Sequence, residues 1–405
     1  MQRRNFLKHL SVFPTLSLIE SLRANENELK KNGKSAILLW MGGGPSTMDI
    51  WDLKPGAPTG GPFRPINTSG DVQICEHMPL MAKQMHNAAI IRSMSTREAD
   101  HMRGRYYMHT GYVPNPSITH PSYGSVISHQ SPRPDLSIPK FISVGGGSMG
   151  AGFLGAKYSP FVVNSDGRIR NLDVKVDQRF YQRAYALDAI ESNFISQRRG
   201  SLAKEHQSVL KEAFNVLTSS QMDALKVAGE PENVKERYGN NNFGKGCLMA
   251  RRLVEAGVPF IEVNLGGWDN HQNIHATLRD NKLPMLDQGM SALFEDLEQR
   301  GLLEDTVVIW MGEFSRTPRI NQNAGRDHWA RSWSVVVGGG GMNGGIAVGA
   351  TNSDGTRVDT EPHTSQDVMA SVCKALDISL TTTFTSNNGR PMKIANSGKV
   401  IRELF

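Results

Sequence analysis

The stretch SAILLWMGGGPSTMDIWD, residues 35–52, decides the fold class of this chain. It opens with a continuous apolar run, which is typical of a strand buried on both faces of a sheet. Gly42, Gly43 and Gly44 then stop the run. Ser46 and Asp49 follow the glycines. The stretch therefore predicts a buried strand with reactive side chains just past its carboxyl end.

Similar apolar runs recur along the chain and alternate with stretches of helical texture. They read AAIIRSM (88–94), KFISVGGG (140–147), VPFIEVNL (258–265), DTVVIWM (305–311) and SWSVVVGGGG (332–341). This alternation predicts an α/β fold whose central, mostly parallel sheet carries helices on both faces. Ligands of such sheets gather at the carboxyl ends of the strands. We expect one domain over residues 34–405, with a polar helical insertion at about 148–257.

Composition excludes several classes of function. The chain has 405 residues and a net charge of +6, but its lysines and arginines are scattered, so nucleic-acid binding is not indicated. Cys75, Cys247 and Cys373 lie far apart without CxxC spacing, which gives no thiolate metal site and at most one disulfide.

The N-terminus has the features of an export signal. Residues 2–24, QRRNFLKHLSVFPTLSLIESLRA, place Arg3 and Arg4 before a modest apolar stretch, as in signals read by the twin-arginine export machinery. Pro14 and Glu20 interrupt that stretch, so it does not predict a membrane span. We expect residues 1–33 to be signal and linker, and the protein to be periplasmic or extracellular. An ordinary basic N-terminal helix is the alternative.

Acids and histidines follow the apolar runs. They are Asp269, His271 and His275 after VPFIEVNL, Asp327 and His328 before SWSVVVGGGG, and His363 ahead of a late helix. Each alone would fit a helix cap or a surface histidine. Their common position at one sheet edge instead favours a metal site, since mixed His and Asp ligands suit zinc or a similar divalent ion.

Several motifs together resemble one family of exported bacterial proteins, catalogued as domain of unknown function fifteen-oh-one. The motifs are RRNFLK, ILLWMGGGPSTMDIWDLKPGAP, ICEHMPLMAKQ, IRSMSTREADHMRGRYYMHTGY, GGWDNH, MGEFSRTPRIN and GRDHW, and they span nearly the whole chain. The family in turn resembles the alkaline phosphatase and sulfatase superfamily, whose members cleave phosphate or sulfate esters at metals bound beside an α/β sheet.

This resemblance implies roles for particular residues. Asp327 and His328 resemble the adjacent Asp-His pair of the superfamily, and His363 its late histidine. Asp269 with His271 or His275 resembles the separated metal-binding set, and Asp49 the acid after the first strand. The resemblance implies one or two divalent ions, with zinc the best match and manganese, magnesium or calcium as alternatives.

The largest departure concerns the nucleophile. His101 stands where the phosphatases carry a serine, and the sulfatase motif is absent from the sequence. A histidine there could accept a phosphoryl group, bind a metal or act as a general acid. Ser46, Ser95 or a metal-activated water are the other candidate nucleophiles. Arg103 and Arg105 would suit a tetrahedral anion, or lie on a solvated helix face.

Two functions follow as expectations. The first is an exported, metal-dependent hydrolase acting on phosphate or sulfate esters of small molecules or carbohydrates. The second is a non-catalytic relative that binds an anionic glycan or a partner at the cell surface.

Overall fold

The structure is a computed structural model that describes residues 33–169, 178–196, 207 and 214–405. The expected signal and linker, residues 1–33, therefore lie outside the described residues, apart from Gly33. The described part is built on an eight-stranded sheet whose order is β12-β4-β11-β8-β1-β7-β5-β6. Its strands are β1 (Ser35–Trp40), β4 (Ala88–Met94), β5 (Phe141–Val144), β6 (Phe161–Val163), β7 (Phe260–Asn264), β8 (Thr306–Met311), β11 (Trp333–Gly338) and β12 (Ala347–Val348).

The sheet is mostly parallel, which confirms the predicted fold class. Strand β1 lies at its centre and pairs in parallel with β7 and β8. Strand β11 is the exception, because it runs antiparallel to both β4 and β8. Its first residues therefore lie at the edge where the other strands end. The segment that enters β11, which contains His328, is thereby placed at the carboxyl edge of the sheet.

Apolar residues of the central strand alternate between two cores. Ile37 and Leu39 face one core, and Leu38 and Trp40 face the other. Each fully buried side chain of this kind stabilises the fold by about 1.5–3 kcal/mol. Helices cover both faces because both are apolar. The helices in the described part of the chain are α1 (Pro79–Ala82), α2 (His101–Thr110), α3 (Tyr123–Gln130), α4 (Gln178–Ser196), α5 (Glu232–Tyr238), α6 (Asn242–Glu255), α7 (Ile274–Thr277), α8 (Leu283–Gln299) and α9 (Ser365–Ala375).

The other strands of the described residues form three two-stranded ribbons. They are β2 (Pro65–Asn67) with β3 (Gln73–Cys75), β9 (Ser315–Arg316) with β10 (His328–Trp329), and β13 (Thr383–Thr385) with β14 (Pro391–Lys393). All three cysteines are free and buried. No helix in the described part of the chain combines the length and apolar character that a bilayer span requires.

The expected insertion at 148–257 is only partly separate from the main fold. Strand β6 lies inside that interval and pairs with β5 of the main sheet. Helix α6 also lies inside it, and its Leu248 and Leu253 belong to the same core as β7. Elsewhere in this interval, helix α4 and residues 214–218 are helical, as the sequence predicts.

Helix α2 matters most for the site, because its first residue is His101. Asp100 caps the helix by accepting a hydrogen bond from the Arg103 backbone N–H at 3.0 Å. Gly111 ends it in the left-handed conformation, with φ 74°, which glycine adopts without strain. The sequence around α2 thus fixes where His101 sits relative to the sheet edge.

Candidate metal site

The start of helix α2, the loop after β7 and strand β10 bring His101, Asp269 and His328 together at the carboxyl edge of the sheet. We call these three residues the Asp269 group. Their ligand atoms all lie within 4.8 Å of one another. The Nε2 atom of His101 lies 3.4 Å from Oδ2 of Asp269, and Nε2 of His328 lies 3.4 Å from Oδ1. The Asp269 side chain is 46% exposed, so the group opens to solvent.

Each histidine of the group is oriented through its other ring nitrogen. Nδ1 of His101 lies 2.6 Å from Oε1 of the buried Glu313, which also accepts from the Gly43 backbone N–H at 2.9 Å. Nδ1 of His328 lies 2.9 Å from the carbonyl oxygen of Ala99. Both contacts require a proton on Nδ1, because the facing atoms are oxygen acceptors. A neutral ring then carries a lone pair on Nε2.

Both Nε2 atoms are buried without a hydrogen-bond partner. Burial lowers the pKa of His328, so its neutral ring directs a lone pair at a carboxylate oxygen 3.4 Å away, and this contact is repulsive unless a cation lies between them. The hydrogen bond to Glu313 and the charge of Asp269 raise the pKa of His101, so a metal at this position would take the place of the proton on its Nε2. Two tetrahedral zinc ligands are spaced about 3.4 Å apart when their bonds are about 2.1 Å long. The donor set and its spacing therefore fit a divalent metal. Nδ1 contacts to a carboxylate and a carbonyl are also the usual support of metal-binding histidines.

The electrostatics of Asp269 favour its ionised form. Burial alone would raise its pKa, but Arg316, His101 and His271 together hold the pKa below its usual range. Arg316 lies 2.6 Å from Oδ1 of Asp269 and is itself buried. Its guanidinium donates to the carbonyl oxygens of Gly44, at 2.7 Å, and of Gly43. The glycine turn after β1 thus holds the arginine in place.

The charged residues in and around the Asp269 group carry more negative than positive formal charge. Asp269, Glu313 and Asp327 contribute three carboxylates, and Arg316 contributes one guanidinium. With neutral histidines the formal sum is −2, as one guanidinium offsets one of the three carboxylates. A single divalent ion would neutralise the remainder, which is a second reason that the site fits a metal.

His271 lies beside the group and contacts Asp327. Its Nδ1 is 2.7 Å from Oδ1 of Asp327, a contact that lowers the pKa of that acid. Its Nε2 lies 2.9 Å from Oδ1 of Asp269 and 3.3 Å from Nη1 of Arg316. The Asp327–His271 pair therefore directs an imidazole nitrogen toward the Asp269 group while the ring stays 43% exposed.

Asp49, His275 and Ser46, three other residues predicted for the site, form a separate cluster with Arg326. Arg326 donates to both oxygens of Asp49, at 2.8 and 2.9 Å, and Ser46 donates to Oδ2 at 2.6 Å. Nε2 of His275 lies 3.2 Å from Oδ1. Burial would raise the pKa of Asp49, but His275 and Arg326 hold it low. We call these four residues the Asp49 cluster; all of Asp49's oxygens are occupied by protein donors.

The structure places the remaining predicted site residues in other contacts. Nδ1 of His363 lies 2.8 Å from the Ser93 hydroxyl. Arg103 donates to both oxygens of Glu98, at 2.6 and 3.1 Å. Arg105 donates to the carbonyl oxygen of Gly147. His101, by contrast, lies in the Asp269 group. The sequence predicts it as a catalytic candidate, with metal binding as one of its alternatives.

Sequence reasoning did not select Glu313 and Arg316 as site residues. The signal was present, because both follow the buried run of β8 in the motif GEFSR. A further buried pair was also missed: Nε2 of His109 lies 3.4 Å from Oε2 of Glu262, and both side chains are almost fully buried. An acidic residue inside the apolar run VPFIEVNL was the available signal for Glu262.

The fold and the Asp269 group define a candidate metal-binding α/β protein with its site at the carboxyl edge of a mostly parallel sheet. The chain belongs to the family described as "Protein of unknown function (DUF1501)", whose sequence profile matches residues 33–405. No curated protein matches the chain in sequence.

Solved structures with a similar chain path include sulfatases and alkaline phosphatases. The PsFucS1 sulfatase from Pseudoalteromonas sp. is 12% identical, with 89% of this chain and 70% of that chain covered and a TM-score of 0.39. An alkaline phosphatase superfamily protein from Vibrio parahaemolyticus is 12% identical, with 92% and 70% covered and a TM-score of 0.40. The alkaline phosphatase of the Antarctic bacterium TAB5 is 13% identical, with 85% and 98% covered and a TM-score of 0.37.

Proposed function

We propose that the protein is an exported, metal-dependent hydrolase of phosphate or sulfate esters. The observation that carries this proposal is the pair of buried, unpartnered Nε2 atoms of His101 and His328, both facing the carboxylate of Asp269. A bound divalent ion would polarise the ester and lower the pKa of water, the two effects by which metals promote hydrolysis. Zinc suits the two imidazoles and one carboxylate best.

Other steps of the proposed hydrolysis are assigned to particular side chains of the protein. His101, Asp269 and His328 would hold the ion, while Glu313 and the Ala99 carbonyl orient the two rings. Arg316 keeps Asp269 ionised and in position. His271 is the best candidate for the proton acceptor, because Asp327 fixes its Nδ1–H and its Nε2 then carries a lone pair beside the Asp269 group, 2.9 Å from Oδ1 of Asp269 and 3.3 Å from Nη1 of Arg316.

Water is the attacking group in this proposal. The hydrogen bonds and ion pairs described for His101, Asp269 and His328 involve no serine, threonine or cysteine side chain. The hydroxyl of Ser46, an earlier candidate nucleophile, is bound to Asp49. Hydrolysis then adds water across the ester bond: the new bond joins the water oxygen to phosphorus or sulfur, and the alcohol leaves with a proton.

The absence of a hydroxyl in that set also favours a second candidate function. A protein with the same metal but no turnover would bind an anionic glycan or cell-surface partner. The two functions share the metal and differ in hydrolysis, so one experiment separates them.

The test is hydrolysis of aryl phosphates and aryl sulfates by the full chain, stripped of metal and reloaded with zinc, manganese, magnesium or calcium. We expect metal-dependent release of the phenol by the wild type. The double variant His101→Ala, His328→Ala should lose it, and His86→Ala, which removes an exposed histidine outside the Asp269 group and outside the predicted metal residues, should keep it. Metal binding without hydrolysis of any ester would leave the binding function as the better account.

We propose export because Arg3 and Arg4 form a twin-arginine motif ahead of an apolar stretch. The family match begins at residue 33, so the signal-like segment lies outside the matched residues. We expect the wild type in the periplasmic or secreted fraction of its host, and the Arg3→Lys, Arg4→Lys variant in the cytoplasm. Equal distribution of both would contradict twin-arginine export.

A further inference from the structure

A cleft of about 980 Å³ adjoins the Asp269 group and is larger than a phosphate or sulfate ion needs. His328 lines one part of it, so the cleft leads to the group. Tyr107 and Val113 are among the other lining residues. A cleft of this size could accommodate the alcohol portion of an ester together with the ester group.

Two lining arginines, Arg97 and Arg331, are exposed and have no counterion among the described residues. Among the described residues, neither makes an ion pair or a hydrogen bond through its guanidinium. Glu98 also lines the cleft, but its carboxylate accepts hydrogen bonds from Nε and Nη2 of Arg103. The uncompensated charge of the cleft is therefore positive.

Arg331 is held in place by its neighbours. Its guanidinium lies over the ring of Trp329, 5.7 Å from the centroid. The indole N–H of Trp329 donates to Ser332 at 2.9 Å, and Ser332 donates to the Gly355 carbonyl at 2.8 Å. Trp329 directly follows His328 in β10. The cationic part of the cleft is thus attached to the same ribbon as one member of the Asp269 group.

We propose that this cleft binds a second anionic group, carried by the alcohol portion of the substrate, through Arg97 and Arg331. This inference rests on the proposed function for the identity of the ester, and it specifies a substrate with at least two anionic groups. A guanidinium binds carboxylate, sulfate and phosphate alike, so the shared chemistry is an oxyanion.

The test measures binding instead of turnover, so that it does not depend on hydrolysis. Phenylphosphonate and phenylsulfonate are non-hydrolysable probes with one anionic group. Their counterparts carry an additional carboxylate on the same ring or on a second phenyl ring, which varies the reach. Calorimetric Kd values are compared for the metal-loaded wild type, the Arg97→Gln, Arg331→Gln double variant, and Arg64→Gln, an exposed arginine that does not line the cleft.

We expect at least one carboxylated probe to bind the wild type and Arg64→Gln about tenfold more tightly than its parent. The preference should vanish in the double variant, whose exposed substitutions leave the melting temperature unchanged. Equal Kd values for parent and carboxylated probes in the wild type, no binding of any probe, or a preference that survives in the double variant would overturn the proposal. If carboxylated probes bind more tightly but no ester is hydrolysed, the proposed catalytic function is wrong and the assignment of the cleft as an oxyanion site is kept.

Discussion

Asp49 and Asp269 lie after neighbouring strands of one sheet, and each has an arginine and a histidine beside it, yet their surroundings differ. In the Asp49 cluster, Arg326 binds both carboxylate oxygens, and Ser46 and His275 complete the set. In the Asp269 group, Arg316 and Nε2 of His271 lie at one oxygen, and the Nε2 atoms of His101 and His328 face the carboxylate at 3.4 Å without a hydrogen bond.

The difference shows that proximity of acids and histidines does not by itself indicate a metal. A carboxylate whose oxygens are occupied by protein donors has no need of another cation. A carboxylate that faces an unprotonated imidazole nitrogen, as Asp269 faces His328, does, because the two lone pairs would otherwise repel. The predictions below test whether this contrast holds.

The largest expected effect is on catalysis. Asp269→Asn should lower kcat/KM for a phosphate or sulfate ester by about 10³-fold, because metal activation is worth several kcal/mol in such reactions. Asp49→Asn, measured on the folded fraction, should stay within a few-fold of the wild type. Steady-state kinetics on both variants checks this. A reversed order would show that Asp49 belongs to the functional site.

The next effect is on stability. Asp49→Asn should lower the free energy of unfolding by about 3–5 kcal/mol, since Arg326 would remain buried without a counter-charge. The paired replacement Asp49→Leu, Arg326→Met removes both charges and should cost clearly less. Urea unfolding measures all three proteins. A double variant no more stable than Asp49→Asn would argue that the ion pair is not the source of the cost.

A weaker effect, on metal affinity, is expected from replacing Glu313, the residue that orients His101. Glu313→Gln should reduce metal affinity about 10–100-fold, because the amide is a poorer acceptor for the Nδ1–H of His101. Glu361→Gln, an exposed acid on another loop, should leave affinity unchanged. Competition with a chelator gives both values. Unchanged affinity in Glu313→Gln would mean that His101 is not held as a ligand.

The smallest effect concerns Asp287, a buried carboxylate with no salt bridge among the described residues. It accepts from the backbone N–H groups of Leu80, at 3.0 Å, and Met81, at 2.6 Å. Burial nevertheless raises its pKa from the usual 3.8 to about 6. The folded state therefore holds its proton more tightly, so stability should fall as pH rises from about 4 to 6.

Asp287→Asn should flatten that part of the stability–pH curve. Its slope is at most about 1.4 kcal/mol per pH unit for one proton. Thermal unfolding between pH 4 and 7 compares the variant with the wild type. A wild-type curve that rises over this interval, with the rise removed by Asp287→Asn, would show that the two backbone donors outweigh burial.

Much of the fold was predictable because its long buried strands are continuous apolar runs. Strands β1, β4, β5, β7, β8 and β11 all fall within runs that the sequence marks. Strands β6 and β12 were not predicted, since three or two residues carry no measurable periodicity. The antiparallel direction of β11 was also beyond local sequence, because strand direction depends on partners distant in the chain.

The site was predictable only as a region. The sequence indicates that Asp269 and His328 reach one sheet edge, and the structure places them together. It could not separate Asp269 from Asp49, because Arg326 lies 277 positions from Asp49 in the chain. Nor could it assign His101 to the group, since that depends on Glu313, 212 positions away, which fixes the ring.

The central claim is that the Asp269 group binds a metal and the Asp49 cluster does not. The most direct measurement is elemental mass spectrometry of the purified full chain, as wild type, Asp269→Asn and Asp49→Asn. We predict about one divalent ion per chain in the wild type, loss of that ion in folded Asp269→Asn, and its retention in the folded fraction of Asp49→Asn. A metal-free wild type that takes up no ion on reconstitution, or equal loss in both variants, would contradict the claim.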